Sequence, residues 1–384
     1  MLDPKKFYNF LKKNNVNFFT GVPDSLLKNF ISIFDKKKKE HLSVGNEGVA
    51  IALAAGHYLS SGNPALVYMQ NSGLGNAINP LNSITNKKVY GIPMILLIGW
   101  RGEIIKKNLQ VSDEPQHLYQ GKITLKQLKL IDVPYKIINK NTKNLKKIIH
   151  QVKILSISLQ KPVAIIVKKG TFKEIKKKQF FSKEKYFPLR KNIIEKIIEK
   201  SPKDSAIIST TGYTSRELYQ LRSLRKENVS KDFLMVGGMG HAVSLSAGIA
   251  KNLKKKIICI DGDGSLLMHV SGLQNSAMMK NFIHILINNG VHDSVGGQKI
   301  NSIKLDYKQI SKGFGYDYYF KSRSLKDFEK NINKALKLNK SVFIEVLSQA
   351  GINDTLPRPK EKFVLRKKEF QKILKKNEKN RKYS

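Results

Sequence analysis

Cysteine is almost absent. Cys259 is the only one in 384 residues, so no intrachain disulfide can form, and its apolar surroundings suit packing. Acidic residues are also scarce: 70 lysines and arginines face 29 aspartates and glutamates, a formal net charge of +41. No hydrophobic run reaches membrane-spanning length. Residues 1–15 are lysine-rich and lack the apolar centre of a signal peptide. A cytoplasmic protein with no membrane partner is expected. The basic excess is mostly lysine spread along the whole chain, and runs such as 36–39 and 176–178 lack the interleaved aromatics and arginines of a nucleic-acid reader. No specific nucleic-acid partner is expected. The charge reads as a solvated lysine surface that favours the approach of anionic substrates. Weak, salt-sensitive polyanion binding stays open, and with it the alternative of a non-catalytic basic protein.

Hydrophobic residues make up 41% of the chain, enough for two domains of ordinary size. Short Val- and Ile-rich runs alternate with helical patterns. The runs at 18–20, 41–45, 65–70, 94–99, 134–138 and 163–168 predict six strands in the first half. Those at 206–209, 233–236, 257–260, 283–287, 317–320 and 342–347 predict six more. They are apolar throughout rather than alternating, the pattern of parallel strands covered on both faces. Helices are expected between them, as at 46–60 and 241–251. The expectation is an α/β protein of two doubly wound, mostly parallel domains: residues 1–170 and 190–384, joined by a lysine-dense linker at 171–189. Residues 356–359 read as an extended turn and 367–377 as a helix.

The most informative stretch is Ile260-Asp261-Gly262-Asp263-Gly264-Ser265, followed by Asn288-Asn289. Asp263 and Asn289 stand 26 residues apart, one strand–helix–strand crossover. Open α/β sheets bind ligands at the carboxyl ends of such neighbouring strands. A carboxylate and an amide oxygen there suit Mg²⁺, which prefers oxygen and leaves positions for phosphate. Gly262 and Gly264 permit close backbone approach, and Ser265 opens a helix whose N–H groups can face an anion. Alone, Asp263 could cap a helix and Asn289 form a turn.

With Gly21-Val22-Pro23-Asp24-Ser25, Asn46-Glu47, Gln70-Asn71-Ser72-Gly73-Leu74-Gly75-Asn76, Asp113-Glu114-Pro115-Gln116-His117 and Asn288 to Gln298, the chain resembles the thiamine-diphosphate-dependent enzymes. It is similar to their compact members without a middle domain, which decarboxylate phosphonopyruvate or sulfopyruvate. The resemblance implies a pyrimidine-binding first domain and a diphosphate-binding second. It also implies thiamine diphosphate and Mg²⁺ as cofactors, and a homo-oligomer with the active site between subunits. Asp263, Asn289 and the Val291 carbonyl would hold the metal; a valine stands where the family usually has a small residue. Glu47 would meet the aminopyrimidine ring, although a first-turn acid also complements a helix dipole. Met239 would wedge the cofactor and Gly237 offer it a carbonyl. Thr210, Thr211, Gly262, Gly264 and Ser265 would touch the diphosphate, and Asn71 would also contact the cofactor. Asp24, Asn71, His117, His292 and Gln298 would face the reacting substrate, one histidine supplying a proton. Arg101, just after the run at 94–99, reads either as a fork for an anionic phosphonate or carboxylate or as a surface charge. His57 and His150 read as structural. The implied reaction converts 3-phosphonopyruvate to phosphonoacetaldehyde and CO₂, a step of aminoethylphosphonate biosynthesis; sulfopyruvate is the alternative small anionic 2-oxo acid.

Overall fold

The computed structural model describes residues 1–379 except 38, 107–108, 176–185 and 352–355. The chain divides into two compact units, Met1–Lys178 and Gln179–Ser384. Most of the expected linker, and the lysine run at 176–178, lie outside the described residues.

Each unit is built on one six-stranded parallel sheet. In the first, β1 (Phe19–Gly21), β2 (His41–Ser43), β3 (Leu66–Gln70), β4 (Met94–Gly99), β5 (Tyr135–Ile138) and β6 (Pro162–Val167) lie in the order β2-β1-β3-β4-β6-β5. In the second, β7 (Ala206–Ser209), β8 (Phe233–Leu234), β9 (Ile257–Gly262), β10 (Phe282–Asn288), β11 (Tyr318–Ser322) and β12 (Val342–Leu347) lie in the order β8-β7-β9-β10-β12-β11. The two orders are the same. Every expected strand is present, with ends moved by a few residues.

The continuous apolar runs are explained by burial on both faces. In β4, Ile95 and Leu97 enter one core while Met94, Leu96 and Ile98 enter the other. In β10, Ile283, Ile285 and Ile287 face one core, Phe282 and Leu286 the opposite one. Cys259 is fully buried as a free thiol in that second core. The edge strands depart from the expectation of double cover: Tyr135, Lys136 and Ile137 of β5 are exposed, as is Tyr318 of β11. The reason is their place at the end of each sheet, with neighbours on one side only.

Helix starts follow local chemistry. Asn46 accepts a hydrogen bond from the Gly48 N–H at 2.8 Å and caps the helix Glu47–Ser61, which Gly62 ends in the left-handed region. The expected C-terminal helix is longer than its sequence signal, Phe363–Lys379. Two hairpins have no sequence counterpart: Ile104–Lys106 with Leu109–Gln110, and Val291–His292 with Gln298–Lys299. Among the described residues no helix is long and apolar enough to cross a membrane.

Candidate active site

In the second unit, Gly262 of β9 lies in register with Ile287 of β10. The residues that follow each strand therefore emerge side by side. A cleft of about 80 Å³ opens at these tips. Of the residues expected there, Thr210, Thr211, Met239, Gly262, Asp263, Gly264, Ser265, Asn289, Val291 and His292 all line it. Gly237 is not among the lining residues. It sits in the preceding loop with φ +68°, and Gly240 follows at +90°, conformations that glycine adopts without strain.

Asp263 is the most constrained group. Its carboxylate accepts from the Gly290 N–H at 2.8 Å, the Ser302 hydroxyl at 2.5 Å and the Gly264 N–H at 2.9 Å. Burial pushes its pKa up to about 6 against these bonds. Asn289 donates from its amide to Asp293 at 2.8 Å, and its oxygen accepts from the Val291 N–H at 3.1 Å. Asp293 is anchored in turn by Arg190 at 2.9 Å, whose other guanidinium nitrogens grip Glu217 at 2.7 and 3.1 Å. This buried pairing fixes which face of the Asn289 amide presents oxygen. Ser265 and Thr210 bond each other at 2.8 Å, and the Ser265 hydroxyl accepts from the Gly240 N–H at 3.1 Å. Three strand-end loops are thus tied together.

The cleft fits a metal-bound diphosphate. A Cβ on Gly262 would meet no atom within 4 Å, while one on Gly264 would lie 2.5 Å from the His292 ring. Gly264 is therefore required by the protein's own packing. Gly262, with an ordinary φ of −111°, leaves space that no side chain claims. His292 Nε2 and both ends of the Gln298 amide are buried without a partner. Their side chains share one face of the hairpin, since His292 pairs with Gln298. Among the described residues no three His, Cys, Asp or Glu side chains gather as a metal site. A cation here would take the Asp263 carboxylate, the Asn289 amide oxygen, a backbone carbonyl and ligand oxygens, a hard set that suits Mg²⁺. Burial pushes His292 down to about 4, so it is neutral near pH 7.

The first unit holds a second cluster at the carboxyl ends of β1, β3 and β4. Asp24 is fully buried. One carboxylate oxygen accepts from the Leu26 N–H at 3.0 Å and the other has no partner. Burial pushes it up to about 6, opposed by the Arg101 charge and backbone N–H groups. Arg101 does not offer the free fork expected of it: Nε and Nη2 bind Asp113, and Nη1 donates to Ser25 at 3.1 Å. Asn71 is likewise committed. Its amide donates to the Arg101 carbonyl and to Thr124, and its oxygen accepts from the Arg101 N–H. It braces the end of β4. His117 Nδ1 lies 3.0 Å from Asp113. Burial opposes ionisation of Asp113, but the bonds from His117 and Arg101 outweigh it and hold the carboxyl well below the usual range.

Glu47 opens its helix with only 4% exposure and accepts from the Asn76 amide at 2.7 Å. Burial raises its pKa, with the Asn76 bond opposing. A Cβ on Gly73 would meet its carboxylate at 2.3 Å, so the glycine of the 70–76 motif makes room for the acid. His57 stacks on Phe18, and His150 pairs with Asn14 at 2.8 Å, ordinary packing for both.

Residues 5–128 match the N-terminal thiamine-pyrophosphate-binding domain of the thiamine pyrophosphate enzymes, and residues 210–346 match the C-terminal one. The chain belongs to the thiamine-pyrophosphate-dependent decarboxylase family. It is 31% identical over 362 residues to the phosphonopyruvate decarboxylase of Streptomyces viridochromogenes, covering 90% of this chain and 88% of that one. The sulfopyruvate decarboxylase subunit beta of Methanocaldococcus jannaschii is 39% identical over 157 residues, 40% of this chain and 80% of its own. The subunit alpha of Methanococcus maripaludis is 35% identical over 161 residues, 42% of this chain and 90% of its own. Membership in an enzyme family removes the ground for a non-catalytic basic protein.

For a thiamine pyrophosphate enzyme, the residues that sequence reasoning missed are supporting ones. Ser302 bonds Asp263 but stands in no motif. Arg190 follows Pro188 and opens the helix Arg190–Lys200, yet its partners are 27 and 103 residues away. Asp113 lies inside a quoted motif, and only the structure shows that it binds both Arg101 and His117.

Proposed function

We propose that this enzyme decarboxylates 3-phosphonopyruvate, with thiamine diphosphate and Mg²⁺ as cofactors, in a phosphonate-forming pathway. The observation that carries the reading is the pairing of Asp263 and Asn289 at adjacent strand tips, beside a Gly262 whose open side no protein atom fills. Full-length similarity to a protein named for phosphonopyruvate supports the substrate. Sulfopyruvate is the second reading, favoured by relatives named for it. A cytoplasmic setting fits a chain whose one cysteine is buried and free.

Thiamine diphosphate, when bound, supplies the attacking carbon and the electron sink for loss of CO₂. Asp263, Asn289 and the Val291 carbonyl would hold the Mg²⁺. The loop from Gly262 to Ser265 receives the phosphates through close backbone approach, and Met239 with Gly237 supports the ring end. Glu47 would hold a proton for the cofactor's aminopyrimidine ring, a role suited to a carboxyl raised by burial. Asp24, held up to about 6, keeps a proton available close to neutrality. His292 is neutral and serves as a hydrogen-bonding group, which leaves His117 as the histidine that moves a proton. The lysine-rich surface draws in the anionic substrate.

Glu47 acts in this reading on a cofactor held by a partner subunit. The helix Glu47–Ser61 supports a homo-oligomer: Val49 and Leu59 are exposed, and a Cβ on Gly56 would meet nothing within 4 Å. An apolar outer face on a helix whose inner face is already packed suits cover by a second copy.

The test is CO₂ release from phosphonopyruvate, sulfopyruvate and pyruvate side by side, with melting temperature measured with and without thiamine diphosphate and Mg²⁺. Ligand at 100 times its Kd should stabilise by roughly 2.7 kcal/mol. Absence of both a thermal shift and CO₂ release would overturn the reading.

A further inference from the structure

Asp113 stands apart from the other carboxylates of its cluster. It receives four donors: Arg101 through Nε at 2.7 Å and through Nη2, His117 Nδ1 at 3.0 Å, and the Glu114 N–H at 2.8 Å. Such a carboxylate can only accept, so the hydrogen on Nδ1 of His117 is assigned by its partner. Pro115 at the first position of the helix Pro115–Leu130 sets His117 in the first turn. Its side chain is 12% exposed, and Nε2 is the ring's remaining site for a proton.

We propose that Asp113 is a positioning residue for the decarboxylation. It fixes His117 as the Nδ1–H tautomer with Nε2 toward the substrate, and it fixes the Arg101 guanidinium through Nε and Nη2. The proposal rests on the reading of the site as a decarboxylase.

The charges around His117 support this division. From its own turn it is faced by Asp113 and, at 3.9 Å, by Glu114. From the end of β1 it feels Asp24, which lies within reach of both His117 and Arg101. Arg101 comes from the end of β4. Arg101 binds Asp113 directly and acts on Asp24 only through its charge, and the environments of the two carboxyls act in opposite directions: Asp24 is raised by burial and Asp113 is lowered by its donors. Two carboxyls pushed apart in this way divide into a proton holder and a permanent anion. The anion orients the ring, and the ring and Asp24 are left to hold or pass protons.

The experiment has two arms. In cofactor-free wild-type protein, ¹⁵N-histidine NMR should show the hydrogen of neutral His117 on Nδ1. In Asp113→Asn that preference should be lost. For turnover of phosphonopyruvate, Asp113→Asn should lower kcat roughly 10²-fold or more, with KM changed less than about threefold. Asp113→Glu, which keeps an anionic acceptor, should restore the Nδ1 preference and part of the rate. Thermal stabilisation by thiamine diphosphate and Mg²⁺ should be the same in all three proteins, which separates this idea from the cofactor assignment. A wild-type ring with its hydrogen on Nε2 overturns the proposal without any variant. So does an Asp113→Asn enzyme with wild-type kcat, or one that loses rate while the hydrogen of neutral His117 stays on Nδ1.

Discussion

Gly262→Ala should make the cofactor-free protein more stable and the cofactor weaker, a combination that few substitutions share. The backbone at 262 has φ −111° and ψ 152°, which alanine adopts without strain. The added methyl would find nothing within 4 Å. Replacing glycine where its freedom is unused stabilises by about 0.4–1 kcal/mol through the unfolded chain, or about 1–4 °C for a unit of this size. In the proposed site the same methyl would enter the space that a bound diphosphate would take. Overfilling a packed contact costs about 1–3 kcal/mol, which weakens binding roughly 5- to 150-fold. At a ligand concentration that stabilises the wild type by about 2.7 kcal/mol, a variant weakened a hundredfold would gain only about 0.4 kcal/mol. Melting curves with and without thiamine diphosphate plus Mg²⁺, backed by calorimetric titration, measure both terms. Gly264→Ala is the control: its methyl would meet the His292 ring at 2.5 Å, so stability itself should fall. Undiminished cofactor affinity in Gly262→Ala would show that the diphosphate does not lie where the open side of this glycine points.

Glu47→Gln should keep the fold and lose roughly 10²–10⁴-fold in kcat, the range for a lost proton-sharing group; steady-state kinetics near the wild-type rate would contradict its role. Asp24 has a folded pKa of about 6, above the unfolded value of about 3.9. Its contribution to stability is therefore complete below about pH 4 and is lost as pH rises through 6. Asp24→Asn should remove roughly 2–3 kcal/mol of that decline, and parallel Tm–pH curves for the two proteins would refute this. Arg190→Met strips Glu217 and Asp293 of their buried counter-charge and should destabilise by about 3–5 kcal/mol in urea titration; a loss below about 1 kcal/mol would mean that the pairing does not hold the Asn289 loop.

The sheets were legible because their strands are buried on both faces, and burial of that kind leaves an unbroken Val and Ile signal, as in 94–99 and 283–287. Edge strands such as Tyr135–Ile138 read as apolar although three of their residues are exposed, since composition does not record which neighbour is missing. The two short hairpins were invisible. Strands of two or three residues have no period, and the turn that forms Val291–His292 against Gln298–Lys299 lies in a glycine-rich motif that suggests only a loop. Ten residues expected around a diphosphate line one cleft, because each follows an apolar run and parallel strands bring such ends together. What escaped was the supporting layer. Arg101 reads as a free cation in sequence, yet Asp113 claims its fork, and Asn71 reads as a ligand contact while its bonds go to backbone and Thr124. These outcomes depend on partners that converge through folding, and no local spacing encodes them.

The repeated strand order has a consequence for how such a gene can change. Each of the four apolar cores draws its residues from one unit alone. Among the described residues a cut between the units would sever no core and no sheet ladder, so each unit would keep its own packing on either side of it, and fusion is the same event run backwards. Lineages that carry the halves as separate products and lineages that carry them in tandem would then differ in little more than a stop codon and a tether.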